Sequence, residues 1–174
     1  RAGIVHRLDK DTTGLMVVAK TLAAHTDLVA QLQARTVSRE YESVVSGVMT
    51  GGGLVDQPIG RHPKQRVKMA IVRDGKEART HYKLVKHFDG HTYIRLKLET
   101  GRTHQIRVHC QHAGFPILGD AKYADEAAVR IADKLGLKRL FLHAASLNFR
   151  LEDQNYSLEA GLPTELERLL DAIP

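Results

Sequence analysis

The sequence predicts an α+β fold, and three observations carry that expectation. Runs with strand character recur at residues 38–48, 77–88, 91–99 and 141–151. Asp74-Gly75 and Asp89-Gly90 punctuate them as hairpin turns do. Apolar residues at helical spacing occupy separate segments, so the pattern is adjacent antiparallel strands with segregated helices. No internal repeat or linker divides the 174 residues, which read as one domain, 1–174.

The elements follow in order. Gly3 to Gly14 is a polar turn rich in charge, and the apolar run Leu15–Ala19 after it reads as a strand covered on both faces. Thr21 is placed to cap a helix that runs to Arg35, with Leu22, Leu28, Val29 and Leu32 as its apolar stripe. From Ser38 to Val48, a strand sets Arg39, Tyr41 and Ser43 on one face and Glu40, Glu42 and Val44 on the other. Gly51-Gly52-Gly53 is a turn, and Pro58 breaks the strand after it. The segment Arg61-His62-Pro63-Lys64-Gln65-Arg66-Val67-Lys68 reads as a projecting basic arm between strand-like segments, with a solvated loop as the plainer reading. Asp74-Gly75 then joins strands 69–73 and 77–88, and Asp89-Gly90 joins 77–88 to 91–99. In 91–99, Ile94, Leu96 and Leu98 oppose Tyr93, Arg95 and Lys97.

His104 to Ala113 reads as a helix stopped by Gly114 and Pro116, with Ile106, Cys110 and Ala113 on a buried face and His104, Arg107 and Gln111 on another. Residues 124–137 read as a third helix ended by Gly136, and residues 141–151 as a further strand. Pro163 to Ala172 forms a closing helix with Thr164 as a possible cap.

Composition narrows the function. Hydrophobic residues make up 43% of the chain, yet no apolar stretch reaches the roughly 20 residues that span a bilayer, so no membrane is expected. One cysteine, Cys110, allows no internal disulfide or multi-cysteine zinc site and fits a reducing, cytoplasmic setting. The net charge of +6 is uneven. Residues 1–119 hold 19 Lys/Arg against 10 Asp/Glu, whereas residues 120–174 hold 7 against 10. The first two-thirds therefore has the footprint of a polyanion binder.

Within the opening turn, Asp9 is a candidate nucleophile. A covered carboxylate can attack carbon only while ionised, so a cation must stand close: Arg7, Lys10 or, from the later helix, Arg107. On local sequence alone, turn capping by Asp9 or Asp11 outweighs that role. His104, His109 and His112 have separations of five and three with no carboxylate among them, which does not fit a metal helix. They suit hydrogen bonding or phosphate contact better. No Gly-x-Ser-x-Gly, Gly-x-Gly-x-x-Gly or Walker loop occurs. Tyr41 is either a half-buried strand tyrosine or a ring that stacks on a flipped base.

His6-Arg7-Leu8-Asp9-Lys10-Asp11-Thr12-Thr13-Gly14, Arg39-Glu40-Tyr41 and Gly101-Arg102-Thr103-His104-Gln105-Ile106-Arg107-Val108-His109 together resemble the RluA/RluC/RluD family of RNA pseudouridine synthases. The likeness continues through His112–Asp120 and Leu142-His143-Ala144. It implies the pseudouridine synthase fold, a mixed and largely antiparallel sheet with helices around a central catalytic cleft. It implies Asp9 as the catalytic aspartate, Tyr41 as the tyrosine packed on the target base and Arg107 as the partner of the aspartate. Arg7 would fill the space the nucleotide leaves, and Ile106 would line the pocket. His6, Arg102 and His104, with Arg61, Lys64, Arg66 and Lys68 of the arm, are the further candidates for RNA contact.

The family normally carries a Lys-Pro-x-Gly-like strand before this motif, and often an S4-like domain. Neither is in the sequence, so the chain reads as a catalytic domain lacking them. The expected activity is conversion of uridine to pseudouridine, in large-subunit ribosomal RNA first and tRNA second, by a monomer without metal or organic cofactor. The rival expectations are a non-catalytic RNA-binding module derived from such an enzyme and, more distantly, a metal-dependent nuclease.

Overall fold

A computed structural model describes residues 2–174. The elements are β1 (Thr13–Gly14), α1 (Leu22–Gln33), β2 (Ser38–Ser46), β3 (Gly53–Asp56), β4 (Ile59–Arg61), β5 (Met69–Ile71), β6 (Arg79–His87) and β7 (His91–Leu98). They continue with α2 (Gln105–His112), α3 (Glu126–Leu135), β8 (Leu142–Leu151), β9 (Gln154–Glu159) and α4 (Thr164–Ala172). Seven strands form one sheet in the order β1-β8-β2-β7-β6-β3, with β9 continuing beside β8. Only β1 runs parallel to its neighbour. The architecture is α+β, mixed and largely antiparallel, as the sequence predicts.

Alternation in the central strands makes two cores. Tyr41, Val45, Ile94, Leu96 and Leu98 point to one face and pack on Ile106 and Cys110 of α2. Val44 and Phe141 point to the other and pack on Ala128 and Ala132 of α3 and Leu166 of α4. A small hairpin, β4 with β5, carries a third cluster in which Ile59, Met69 and Ile71 meet Val108 and Tyr123. Helix α2 thus lies between the sheet and the hairpin. Six successive residues, Gln105–Cys110, are buried, where sequence spacing predicts one buried stripe.

Other sequence expectations need correction. Leu15–Ala19 is not a strand buried on both faces: Met16 and Val18 are exposed. After Leu15 N–H donates to the Ala144 carbonyl, the run turns back on the segment before Asp9. Val17 N–H donates to His6 Nε2, Ile4 bridges Val18, and Ala19 N–H donates to the Gly3 carbonyl. The run therefore ties off the base of the Asp9 loop. Asp74-Gly75 turns the chain but makes no β5–β6 hairpin. Lys76 bridges Ile59, β5 pairs with β4, and β6 pairs with β3 and β7. Thr21 caps α1 as expected, accepting from Ala24 N–H, but Leu22 of the expected stripe is exposed. Thr164 does not cap α4; it lies in the first turn, after Pro163. His104 stands outside α2, at its N-cap, in a left-handed conformation with φ 55°. Strand β9 has no apolar period, and the turn before it uses Glu152 and Asp153, both at positive φ, in place of the usual glycine or asparagine.

Candidate active site

The Asp9 loop is held at three points. Thr12 N–H donates to the Asp9 carbonyl at 3.0 Å, and Asp11 takes φ 72° to close that turn. Gly14 then lies so close to β8 that a Cβ on it would sit 2.1 Å from the Ala144 carbonyl oxygen, at φ 111°. Only glycine fits there. Finally, Arg139 donates from Nη2 to the Asp11 carbonyl at 2.8 Å. His143 locks the same corner: its Nε2 donates to the Ala160 carbonyl, so Nδ1 accepts from the Thr13 hydroxyl at 2.8 Å. The loop is thus held through its backbone and through Thr13. The Asp9 carboxylate, 23% exposed, makes no capping bond among the described residues.

That carboxylate faces Arg107, with Oδ2 3.5 Å from Nη1. Arg107 is itself gripped from behind. Its Nε and Nη2 donate to the two oxygens of Asp120 at 2.9 and 2.8 Å, and the Asp120 side chain is 0% exposed. Asp120 Oδ1 also accepts from the backbone of Lys122 and Tyr123. The Tyr123 ring lies 5.1 Å from the Arg107 guanidinium carbon, a cation–π contact. Burial works against the Arg107 charge, but the Asp120 bonds, with Asp9 further away, outweigh it and hold the guanidinium above its usual pKa. One bidentate pair fixes the fork and leaves Nη1 for Asp9.

Asp9 lines a cavity of about 540 Å³ together with, among others, Leu8, Tyr41, Leu98, Ile106 and Leu142, and Arg7, Arg35, Arg39 and Arg102 contribute positive charge; Arg107 stands behind Asp9, outside this lining. Its size falls in the range of roughly 300–1,000 Å³ that suits small-molecule groups. Tyr41 is buried, and burial, with the Asp9 charge adding to it, raises its phenol pKa despite Arg39 nearby. It is therefore a neutral ring beside the carboxylate.

The structure brings Asp9, Tyr41, Arg107, Ile106, Arg7, His6 and Arg102 to this region. Arg7 is exposed in the cavity lining. His6 accepts Val17 N–H, and burial followed by the Arg39 charge lowers its pKa to about 4, so it is neutral. Arg102 donates from Nε to the Glu77 carbonyl at 2.7 Å. His104 faces away from the cavity lining: its Nδ1 accepts from the Tyr123 hydroxyl at 2.7 Å, and that hydroxyl accepts from Met69 N–H. Burial, then Arg107, lowers the His104 pKa. His109 bridges the Thr80 hydroxyl and the Gln57 carbonyl. Arg61, Lys64 and Arg66 are exposed and Lys68 half-buried on the β4–β5 arm, outside the cavity lining. His62 shapes the arm by accepting the N–H groups of Lys64 and Gln65 on Nδ1.

Sequence reasoning missed three contributors. Asp120 stood within the Gly119-Asp120 segment of the family likeness, with no feature of its own to separate it from a turn residue. Tyr123 gave no signal in the spacing. Arg39 was within a quoted motif but overshadowed by Tyr41.

The RNA pseudouridylate synthase family model matches residues 1–112. A Pseudomonas aeruginosa protein described as ribosomal large subunit pseudouridine synthase D is 68% identical over 123 residues, covering 71% of this chain and 38% of the relative. An Escherichia coli protein of the same description is 49% identical over 184 residues, covering 99% of this chain and 56% of the relative. The chain thus spans 38% and 56% of the length of these two relatives. Among solved structures, human RNA pseudouridylate synthase domain containing 4 superposes with a TM-score of 0.80 at 30% identity, covering 97% of this chain and 74% of that one. Human RNA pseudouridylate synthase domain containing 1 gives 0.83 at 25% identity, covering 96% and 72%. The chain belongs to the RNA pseudouridylate synthase family.

Proposed function

We propose that this chain is the catalytic part of an enzyme that isomerises specific uridines in large-subunit ribosomal RNA to pseudouridine. The observation that carries the reading is the uncapped Asp9 carboxylate facing a guanidinium held on its far side by Asp120. Such a carboxylate has a cation at 3.5 Å without having its oxygens taken up by a tight pair. It is therefore available to a reacting carbon. The C1′–N1 bond breaks, the uracil turns, and a C1′–C5 bond forms. The proton lost from C5 balances the one gained at N1. Asp9 promotes the cleavage, and Arg107 faces it as its cationic partner. Tyr41, a buried neutral phenol, suits stacking on the base. Arg7 at the rim fills the place the base vacates, and the arm with Arg102 follows the backbone.

That these relatives are ribosomal large subunit enzymes favours ribosomal RNA over tRNA as substrate. We also propose a cytoplasmic setting, which a single, buried cysteine suits, and a monomeric enzyme.

Asp9→Asn, nearly isosteric, is the test. Pseudouridine formation on ribosomal RNA transcripts is expected to disappear while RNA binding persists. Turnover near the parent rate would remove Asp9 from the chemistry. Binding by the parent protein with no pseudouridine in any transcript would instead favour a non-catalytic RNA-binding module.

A further inference from the structure

Arg39 lines the cavity, the chemistry above does not use it, and its state is unusual. It projects from β2 on the same face as Tyr41, two residues earlier, and only 8% of it is exposed. Its Nε is buried without a partner among the described residues. The carboxylates that could neutralise it are engaged elsewhere. Glu40 and Glu42, on the opposite face of the strand, pair with Arg95. Glu99, in the cavity lining, is held by Arg79 and Arg35. Burial pushes the guanidinium below its usual pKa, and the nearby Tyr41 phenol, being neutral, brings no charge to offset it. Gly101 leaves the group uncovered: a Cβ there would stand 2.7 Å from Nη1.

A buried, unpaired guanidinium destabilises the empty protein and is compensated only when an anion arrives. A neutral carbonyl would satisfy the hydrogen bonds but not the charge. RNA offers one anion at a fixed distance from the reacting sugar, its phosphate. Arg39 and Tyr41 lie two residues apart on one face of β2, about 7 Å between their Cα atoms, so a phosphate on the guanidinium would stand beside the ring that carries its base. We propose that Arg39 is the receptor for the backbone phosphate of the target nucleotide, and that filling this site registers the flipped uridine over Tyr41 and against Asp9. The inference rests on the proposed function, which supplies the nucleotide.

The test is a cycle between protein and RNA. The parent and Arg39→Met are each assayed for pseudouridine formation on RNA with a normal phosphodiester, or an uncharged methylphosphonate, on either side of the target uridine. Each single change is expected to lower kcat/KM roughly 10- to 100-fold, the range for a charge-assisted hydrogen bond. The two together are expected to cost no more than one, and Arg39→Lys to restore part of the loss. Fully additive losses at both phosphates would overturn the assignment. So would loss of uridine-over-cytidine discrimination in Arg39→Met with the phosphate effect intact, which would place the guanidinium on a base carbonyl.

Thermal unfolding supplies a readout that needs no catalysis. Arg39→Met is expected to melt no lower than the parent, since it removes an uncompensated charge. Inorganic phosphate is expected to raise the parent's Tm more than the variant's; equal shifts would also overturn the proposal. A parent protein that forms no pseudouridine, yet shows the phosphate-specific shift, would indict the proposed function and not the anion site.

Discussion

Arg107 carries one charge and faces two carboxylates, and their unequal grip sets their roles. Asp120 is fully buried and takes two donors at 2.8–2.9 Å; Asp9 is partly exposed at 3.5 Å. Under the proposed function, Asp120 is a positioning residue and Asp9 the group left free to react. Asp120→Asn keeps one acceptor but removes the charge, so Arg107 is expected to swing toward Asp9 and pair with it tightly. The expected signature is a fall in kcat with little change in KM, together with a loss of stability of about 3–5 kcal/mol, typical of breaking a buried pair. An unchanged kcat alongside the lost stability would confine Asp120 to the fold. His6 supplies a second test at this scale. Its pKa, lowered to about 4 by burial and then by Arg39, means that only the unfolded chain binds a proton there between about pH 6.5 and 4. Stability therefore rises with pH across that window and is lost on acidification. His6→Gln keeps an acceptor for Val17 N–H and is expected to remove that share of the slope, on the order of 2 kcal/mol. Urea unfolding of parent and variant at pH 7 and pH 4 measures it.

At the scale of elements, the site is a seam where β1 meets β8. Gly14→Ala would put a Cβ 2.1 Å from the Ala144 carbonyl oxygen at φ 111°, so the seam has to open. A cost of more than about 2 kcal/mol is expected, with activity falling further than stability because the Asp9 loop moves with Gly14. Equal melting temperatures for parent and variant would show that the seam is not tight. This seam also marks where sequence reading stops. The strands β2, β7 and β8 were legible because alternation follows from burying one face against α2 and the other against α3 and α4. The segment Leu15–Ala19 was not, because an apolar run covering a loop base has the same composition as a buried strand. Helix α2 hid its second contact, since a hairpin about forty residues earlier in the chain covers its far side. Asp9, Tyr41 and Arg107 were legible as a set only through the likeness of three motifs. The partner that decides their division of labour, Asp120, arrives by tertiary packing thirteen residues past Arg107.

Over the whole molecule, charge and chemistry occupy connected surfaces. The arm between β4 and β5 projects Arg61, Lys64 and Arg66, and its stem reaches the catalytic centre. Lys122 Nζ donates to the Val67 carbonyl, and Met69 N–H donates to the Tyr123 hydroxyl, whose ring lies beneath Arg107. RNA lying along the arm would therefore press on the residues that hold Arg107. Two outcomes can be separated by salt. If Lys64, Arg66 and Lys68 each neutralise a phosphate, replacing all three with Gln lowers the slope of log affinity against log salt by roughly 2–3, at about 0.7–0.9 per contact. Glu165 on α4 pairs with Arg139 and not with a residue of the arm, so Glu165→Gln is expected to leave the slope unchanged. The triple variant keeps Val67 and Met69, so its turnover at saturating RNA is expected to match the parent. A fall in saturated turnover would mean that the arm acts on the Arg107 support as well as on affinity. An unchanged slope would remove the arm from the RNA path altogether.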